Sequence, residues 1–204
     1  MKDVLKRVAP ILRGLGFRGS GQNYRKTDGD FVLVVNFQGS RWGDNFYVNL
    51  GAQPIFIPAE GDADLKTLKE YECILRRRVG TEWPWQMSDQ LFDSLQREIM
   101  TAQASFFGRA QTLRDALAVD SPDDLLQKFS AGTTEARATL HLARAAARLG
   151  YIEKARMLAD RGLELAGDRA AILKAELRRV LDDATVGPGQ PDVAADLASP
   201  RSRT

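Results

Sequence analysis

Val4, Leu5, Val8, Ile11, Leu12 and Leu15 recur at three- and four-residue spacing, which predicts an amphipathic helix over residues 2–15 with Pro10 inside it. Gly14 and Gly16 mark its end, and Phe17 beyond them is placed to pack back over the last turn. The period then changes to two. Asn23 to Lys26, an Asp28-Gly29 turn and Phe31 to Phe37 predict a hairpin whose second strand is long and strongly β-forming. A polar turn from Gly39 to Asn45 leads into alternation over Phe46 to Leu50. The extended tendency continues through Ile55 to Ile57, where Pro54 and Pro58 indicate a bulge or an edge. Asp62 to Tyr71 reads as a polar linker with one short helical turn. Glu72 to Val79 predicts a further strand, with Cys73, Leu75, Arg77 and Val79 on one face and Ile74, Arg76 and Arg78 on the other.

Trp83-Pro84-Trp85 turns the chain towards a helix capped by Ser88, with Leu91, Phe92, Leu95, Ile99 and Met100 as its apolar stripe. Beyond Gly108 the texture is helical throughout, over 110–118, 121–130, 135–149, 151–166 and 168–182. Ser121-Pro122 supplies a cap followed by proline at the first helical position. Gly150 separates two helices of similar length, as in an αα-hairpin. After Ala184, Gly187-Pro188-Gly189 and Pro191 leave little reason to fold, and a disordered tail is expected there. The pattern predicts an α+β protein: an antiparallel sheet packed with an amino-terminal and a following helix over 1–108, a helical extension over 109–184, and a tail over 185–204.

Composition narrows the possibilities without supplying chemistry. With 44% hydrophobic and 27% charged residues among 204, the chain is ordinary for a globular protein. Its 29 Lys and Arg against 27 Asp and Glu do not imply a polyanionic partner. Cys73 is the only cysteine, so an internal disulfide is impossible; the thiol reads as a small buried strand residue in a reducing, cytoplasmic setting. The amino terminus lacks the apolar stretch of a signal peptide, and no apolar run approaches the ~20 residues of a membrane-spanning helix. His141, the only histidine, has no second ligand at metal-binding spacing. The glycines form no phosphate-cradling motif, and the carboxylates sit at turns, linkers and helix starts. No cofactor, metal or catalytic residue is predicted.

Leu15-Gly16-Phe17, Asn23-Tyr24-Arg25, Val35-Asn36-Phe37-Gln38-Gly39-Ser40-Arg41 and Phe46-Tyr47-Val48-Asn49-Leu50-Gly51 occur in that order. On these segments, residues 1 to roughly 110 resemble a bacterial family called domain of unknown function 4304. The resemblance implies an α+β domain and carries no activity onto any position. Separately, Thr139 to Leu165, with Leu149-Gly150-Tyr151 and Glu153-Lys154-Ala155, resembles one tetratricopeptide-type hairpin.

Strand alternation gives the one candidate site. Asn36 and Gln38 share a face of their strand, and Tyr47 and Asn49 share a face of the next. With Arg41 and Trp42 on the connecting turn and Arg77 from the later strand, these residues would form a polar cup with an aromatic rim. The competing reading is that the amides satisfy local backbone groups while the arginines face solvent. The expected function is a noncatalytic protein-binding or regulatory module, with Ala143, Ala146, Leu149, Ala155, Leu158 and Leu163 available for self-association or docking of the helical half. Two alternatives stand beside it: hydrolysis in the cup through Tyr47 and Arg77, without an assigned general base, and weak nucleic-acid binding. The latter would use the early cations Lys2, Lys6, Arg7, Arg13, Arg18, Arg25 and Lys26, Arg41 and Arg76 to Arg78, with Trp42 and Tyr47 as stacking platforms.

Overall fold

In a computed structural model describing residues 2–41 and 43–186, the elements run α1 (Lys2–Gly14), β1 (Arg18–Ser20), β2 (Asn23–Asp28), β3 (Phe31–Gly39), β4 (Asn45–Pro54) and β5 (Leu75–Pro84). They continue through α2 (Asp89–Gln111), α3 (Leu113–Val119), α4 (Pro122–Phe129), α5 (Glu135–Arg148), α6 (Ile152–Leu165) and α7 (Ala171–Val186). The fold is α+β: an antiparallel meander in the order β1-β2-β3-β4-β5, flanked by helices and extended by a carboxy-terminal helical array. The expected tail lies outside the described residues from 187 onward, and α7 occupies its first positions.

The ends of the elements follow the local chemistry. Phe17 N–H donates to the Leu12 carbonyl at 2.9 Å and Gly16 N–H to that of Arg13 at 3.0 Å. This is the paired-bond glycine cap, with Gly16 at a φ of 87° and Phe17 buried over the last turn. Asp28 pairs with Phe31, so Gly29 and Asp30 make a two-residue hairpin loop, and Gly29 at a φ of 55° takes the position that needs positive φ. Ser88, Ser121 and Thr134 cap α2, α4 and α5 by accepting from the backbone N–H three residues on.

Several boundaries differ from the sequence pattern. Ile55 to Ile57 do not extend β4. Beyond Ala52 there is no β5 residue opposite, and after Ile55 N–H donates to the Asp30 carbonyl the chain turns away. At Pro54, which pairs with Phe31 only, β4 is an edge rather than a bulge; the bulge lies between Phe46 and Val48, opposite Trp83 and Val79. Gly80, at a φ of 59°, falls inside that bulge. β5 starts at Leu75 rather than Glu72 and runs on through Trp83, which pairs with Phe46 instead of turning the chain. β1 escaped the pattern because three exposed residues around a glycine have no alternation to detect.

One hydrophobic cluster unites α1, one face of the sheet and all the later helices, with Phe37, Phe46, Leu50, Leu95, Leu113, Leu125 and Leu140 fully buried. α5 and α6 form the expected helical hairpin, and α7 packs against both. The hairpin crosses closely at Gly162, where an added Cβ would lie 2.3 Å from Thr139 Oγ1 and 2.7 Å from a Leu177 methyl. Ala143, Ala146, Ala155 and Leu158 are fully buried inside this crossing, while Leu149 and Leu163 are partly buried against it.

Candidate functional site

The sheet has two unlike faces. Phe31, Leu33, Val35 and Phe37 of β3 and Phe46, Val48, Leu50 and Ala52 of β4 point into the main core. The alternate residues point the other way, and the register aligns them in rows. Asn23, Asn36, Asn49 and Arg78 stand directly opposite one another across β2, β3, β4 and β5. The next row is Arg25, Val34, Gly51 and Arg76.

The asparagine row is a hydrogen-bonded ladder. Asn36 Nδ2 donates to Asn23 Oδ1 at 2.9 Å and Asn49 Nδ2 to Gln38 Oε1 at 2.9 Å, with a longer contact from Asn49 Nδ2 to Asn36 Oδ1 at 3.4 Å. Arg78 Nε donates to Asn49 Oδ1 at 3.2 Å, and its guanidinium lies 4.1 Å from the centre of the Tyr47 ring. Asn49 is the buried hub, at 4% exposure, while Gln38 and Arg78 are exposed. The amides spend their groups mainly on one another, which fixes their orientation in a way isolated surface amides would not be fixed.

The other half of this face is covered. Residues 55–74 cross it and build a small second core of Val32, Val34, Ala59, Leu68 and Cys73. Gly51 is the opening that admits them: a Cβ there would stand 2.7 Å from Cys73 Sγ and 3.2 Å from Glu70 Cα. Gln53, fully buried, pins both ends of the cover. Its Nε2 donates to the carbonyls of Pro54 and Ile57, and its Oε1 accepts from Ile74 N–H. Arg25 closes the far side by donating to the Leu68 and Thr67 carbonyls. Cys73 thus belongs to the cover and not to a strand, and it packs on the face opposite Leu75. Burial raises its thiol pKa, so the thiolate is disfavoured.

Of the residues expected in the cup, Asn36, Gln38, Tyr47 and Asn49 meet. Arg41 is on the exposed turn, and Trp42 lies outside the described residues. Arg77 does not join them. It pairs with Leu50, on the core-facing side, and its Nη1 reaches Ser105 Oγ of α2 at 3.4 Å. Its neighbour Arg78 takes the place assigned to it. The signal was available: Leu75 and Val79 mark the core side of β5, Arg77 shares their parity, and Arg78 has the parity of the polar side. The amides bond chiefly to one another's side chains rather than to local backbone groups, Asn36 Nδ2 alone also reaching a backbone carbonyl, that of Gln22, at 3.4 Å among the described residues.

Three of the cations proposed for nucleic-acid contact have partners within the chain. Arg7 pairs with Asp89, Lys26 with Asp28, and Arg25 with backbone carbonyls. His141 of α5 is a buried bridge. Its Nε2 lies 2.9 Å from Glu60 Oε1, joining α5 to the cover, while its Nδ1 has no hydrogen-bond partner among the described residues. This hydrogen bond, helped by Arg137 and Arg76, holds the Glu60 carboxyl at a pKa of about 2, outweighing the opposing effect of burial. Among the described residues no group of three or more His, Cys, Asp or Glu could hold a metal ion, and no helix is long and apolar enough to cross a membrane.

Residues 8–105 match the family described as "Domain of unknown function (DUF4304)". That match spans the sheet domain of this chain, from within α1 to near the end of α2. No curated protein and no solved structure matches the chain.

Proposed function

We propose that the chain is a noncatalytic protein-binding or regulatory module of the cytoplasm, and that the open half of the second sheet face is its recognition surface. The observation that carries this reading is the Asn23–Asn36–Asn49–Arg78 ladder with Gln38 and Tyr47. It is a rigid polar array ending in a guanidinium stacked on an aromatic ring. Preorganised groups lose little freedom on binding, and arginine and tyrosine are the side chains that most often anchor partner recognition. The array contains amides, a phenol and a guanidinium, but no carboxylate, imidazole or thiol to act as a base near neutral pH. The hydrolytic alternative required Tyr47 and Arg77 together, and these occupy opposite faces.

The test is capture of partners by full-length protein, with a Tyr47→Ala/Arg78→Ala double variant as the matched comparison and a broad hydrolase screen in parallel. A partner held by the parent and lost from the variant is the expected result. Strong turnover by the purified protein, with no partner that depends on these two residues, overturns the reading.

A further inference from the structure

We infer that Arg77 belongs to a second site, on the core side of the sheet, that binds a small amphipathic anion: a carboxylate carried on an aromatic ring or a short aliphatic chain. β5, α2 and α4 enclose a cavity of about 240 Å³ between them. Its floor is apolar, made by Leu75, Phe106, Ala110 and Phe129, each buried at 8% exposure or less. Arg77, Arg109 and Lys128 line it from three different elements, and no acidic residue is among the lining residues.

Lys128 is paired with Asp120 at 2.6 Å, but neither Arg77 nor Arg109 makes an ion pair among the described residues. Among the described residues the only polar side-chain partner of Arg77 is the Ser105 hydroxyl at 3.4 Å, a long contact that leaves most of its donors unspent. Three cations grouped at the rim of one cavity favour an anion there, and guanidinium groups match a carboxylate through parallel N–H donors. The apolar floor sets the rest of the ligand. An apolar cavity of about 150 Å³ holds benzene, so 240 Å³ accommodates one ring or a short chain together with its charged head. Pockets with an apolar floor and a few convergent polar groups are the usual form of small-ligand sites.

Titration calorimetry of the full-length protein with benzoate and with hexanoate tests the site and separates the ring from the chain as the apolar part. Benzyl alcohol and inorganic phosphate serve as probes that lack, respectively, the charge and the apolar body. Binding of benzoate, hexanoate or both is expected, with benzyl alcohol and phosphate at least about tenfold weaker. Arg77→Gln and Arg109→Gln should each weaken binding about tenfold. Ala131→Phe, at an exposed lining position, should block the mouth without touching the buried floor. The inference is overturned if neither carboxylate binds at millimolar concentration, if phosphate binds as well as they do, or if Arg77→Gln and Ala131→Phe both leave the affinity unchanged.

Discussion

The two faces of the sheet are built from the same strands, yet they solve opposite problems. On the core face, β3 and β4 supply eight apolar residues that disappear beneath α1, α2 and the later helices. Phe37 and Phe46 tilt together at 6.0 Å, and Phe46 stacks on Trp85 at 4.1 Å. On the other face, a short cover made from 20 residues of the 55–74 connection buries only one end, and the rest is left to an amide ladder. The first face is held by area removed from water; the second is held by donor–acceptor pairing and by one glycine-sized opening. Energy should therefore be concentrated on the first face and recognition on the second.

The sharpest way to break this comparison is to substitute sequence neighbours on opposite faces. Phe37→Ala should cost about 3–5 kcal/mol in denaturant unfolding, since a fully buried ring in a packed core is removed. Gln38→Ala, exposed one position later, should cost about 1 kcal/mol or less. Equal costs would mean that the two faces are not energetically distinct. Next comes the cover: Gly51→Ala drives a Cβ into Cys73 and should destabilise by about 1–3 kcal/mol, with faster labelling of Cys73 by thiol reagents as the cover loosens. Unchanged Cys73 protection would show that the cover does not depend on that close approach.

Within the ladder, Asn49→Ala removes the buried hub and takes a partner from Gln38 Oε1, Asn36 Oδ1 and Arg78 Nε, for an expected loss of about 1–2 kcal/mol. A neutral result would identify the ladder as solvated ornament on a fold that does not need it. A further test is pH-dependent and probes the tie between the cover and α5. Because the folded pKa of Glu60 is depressed to about 2 from 4.5, its contribution is present above the unfolded value and is lost as pH falls from about 4.5 through about 2. Glu60→Gln should flatten that part of the stability–pH curve, as followed by denaturant midpoints between those limits. The smallest effect on stability belongs to Arg78→Ala, below about 1 kcal/mol for an exposed guanidinium stacked on a ring. Its effect on partner capture should nevertheless exceed that of Arg77→Ala, which changes the opposite face.

Much of this arrangement was legible along the chain because it depends on neighbours. The Leu12–Phe17 cap, the Gly29 hairpin and the serine caps at Ser88 and Ser121 are set by residues within a few positions of one another. The shared face of Asn36 and Gln38, and that of Tyr47 and Asn49, follows from the two-residue period of a strand. What the local pattern could not settle was how faces of distant strands align. Arg77 could be set aside on parity alone, since it shares the side of Leu75 and Val79, but that Arg78 rather than Arg76 stands opposite Asn49 depends on the register between β4 and β5, whose paired residues are separated by the whole 55–74 connection. Parity is absolute in a sheet, so matching the wrong face of one strand to its neighbour moves a side chain from one side of the molecule to the other.

The sequence alone therefore determined most of the elements, several of their caps and the alternation within the long strands, since those are decided by short-range sterics and hydrogen bonding; β1 and the ends of β4 and β5 were not among them. Only the tertiary structure decided that Cys73 fills the space above Gly51, that His141 meets Glu60, and that Arg77 turns to a cavity shared with α2 and α4. Each of these is a contact between segments far apart in the chain. Its geometry is fixed by the packing of the whole core, which no local pattern of residues records.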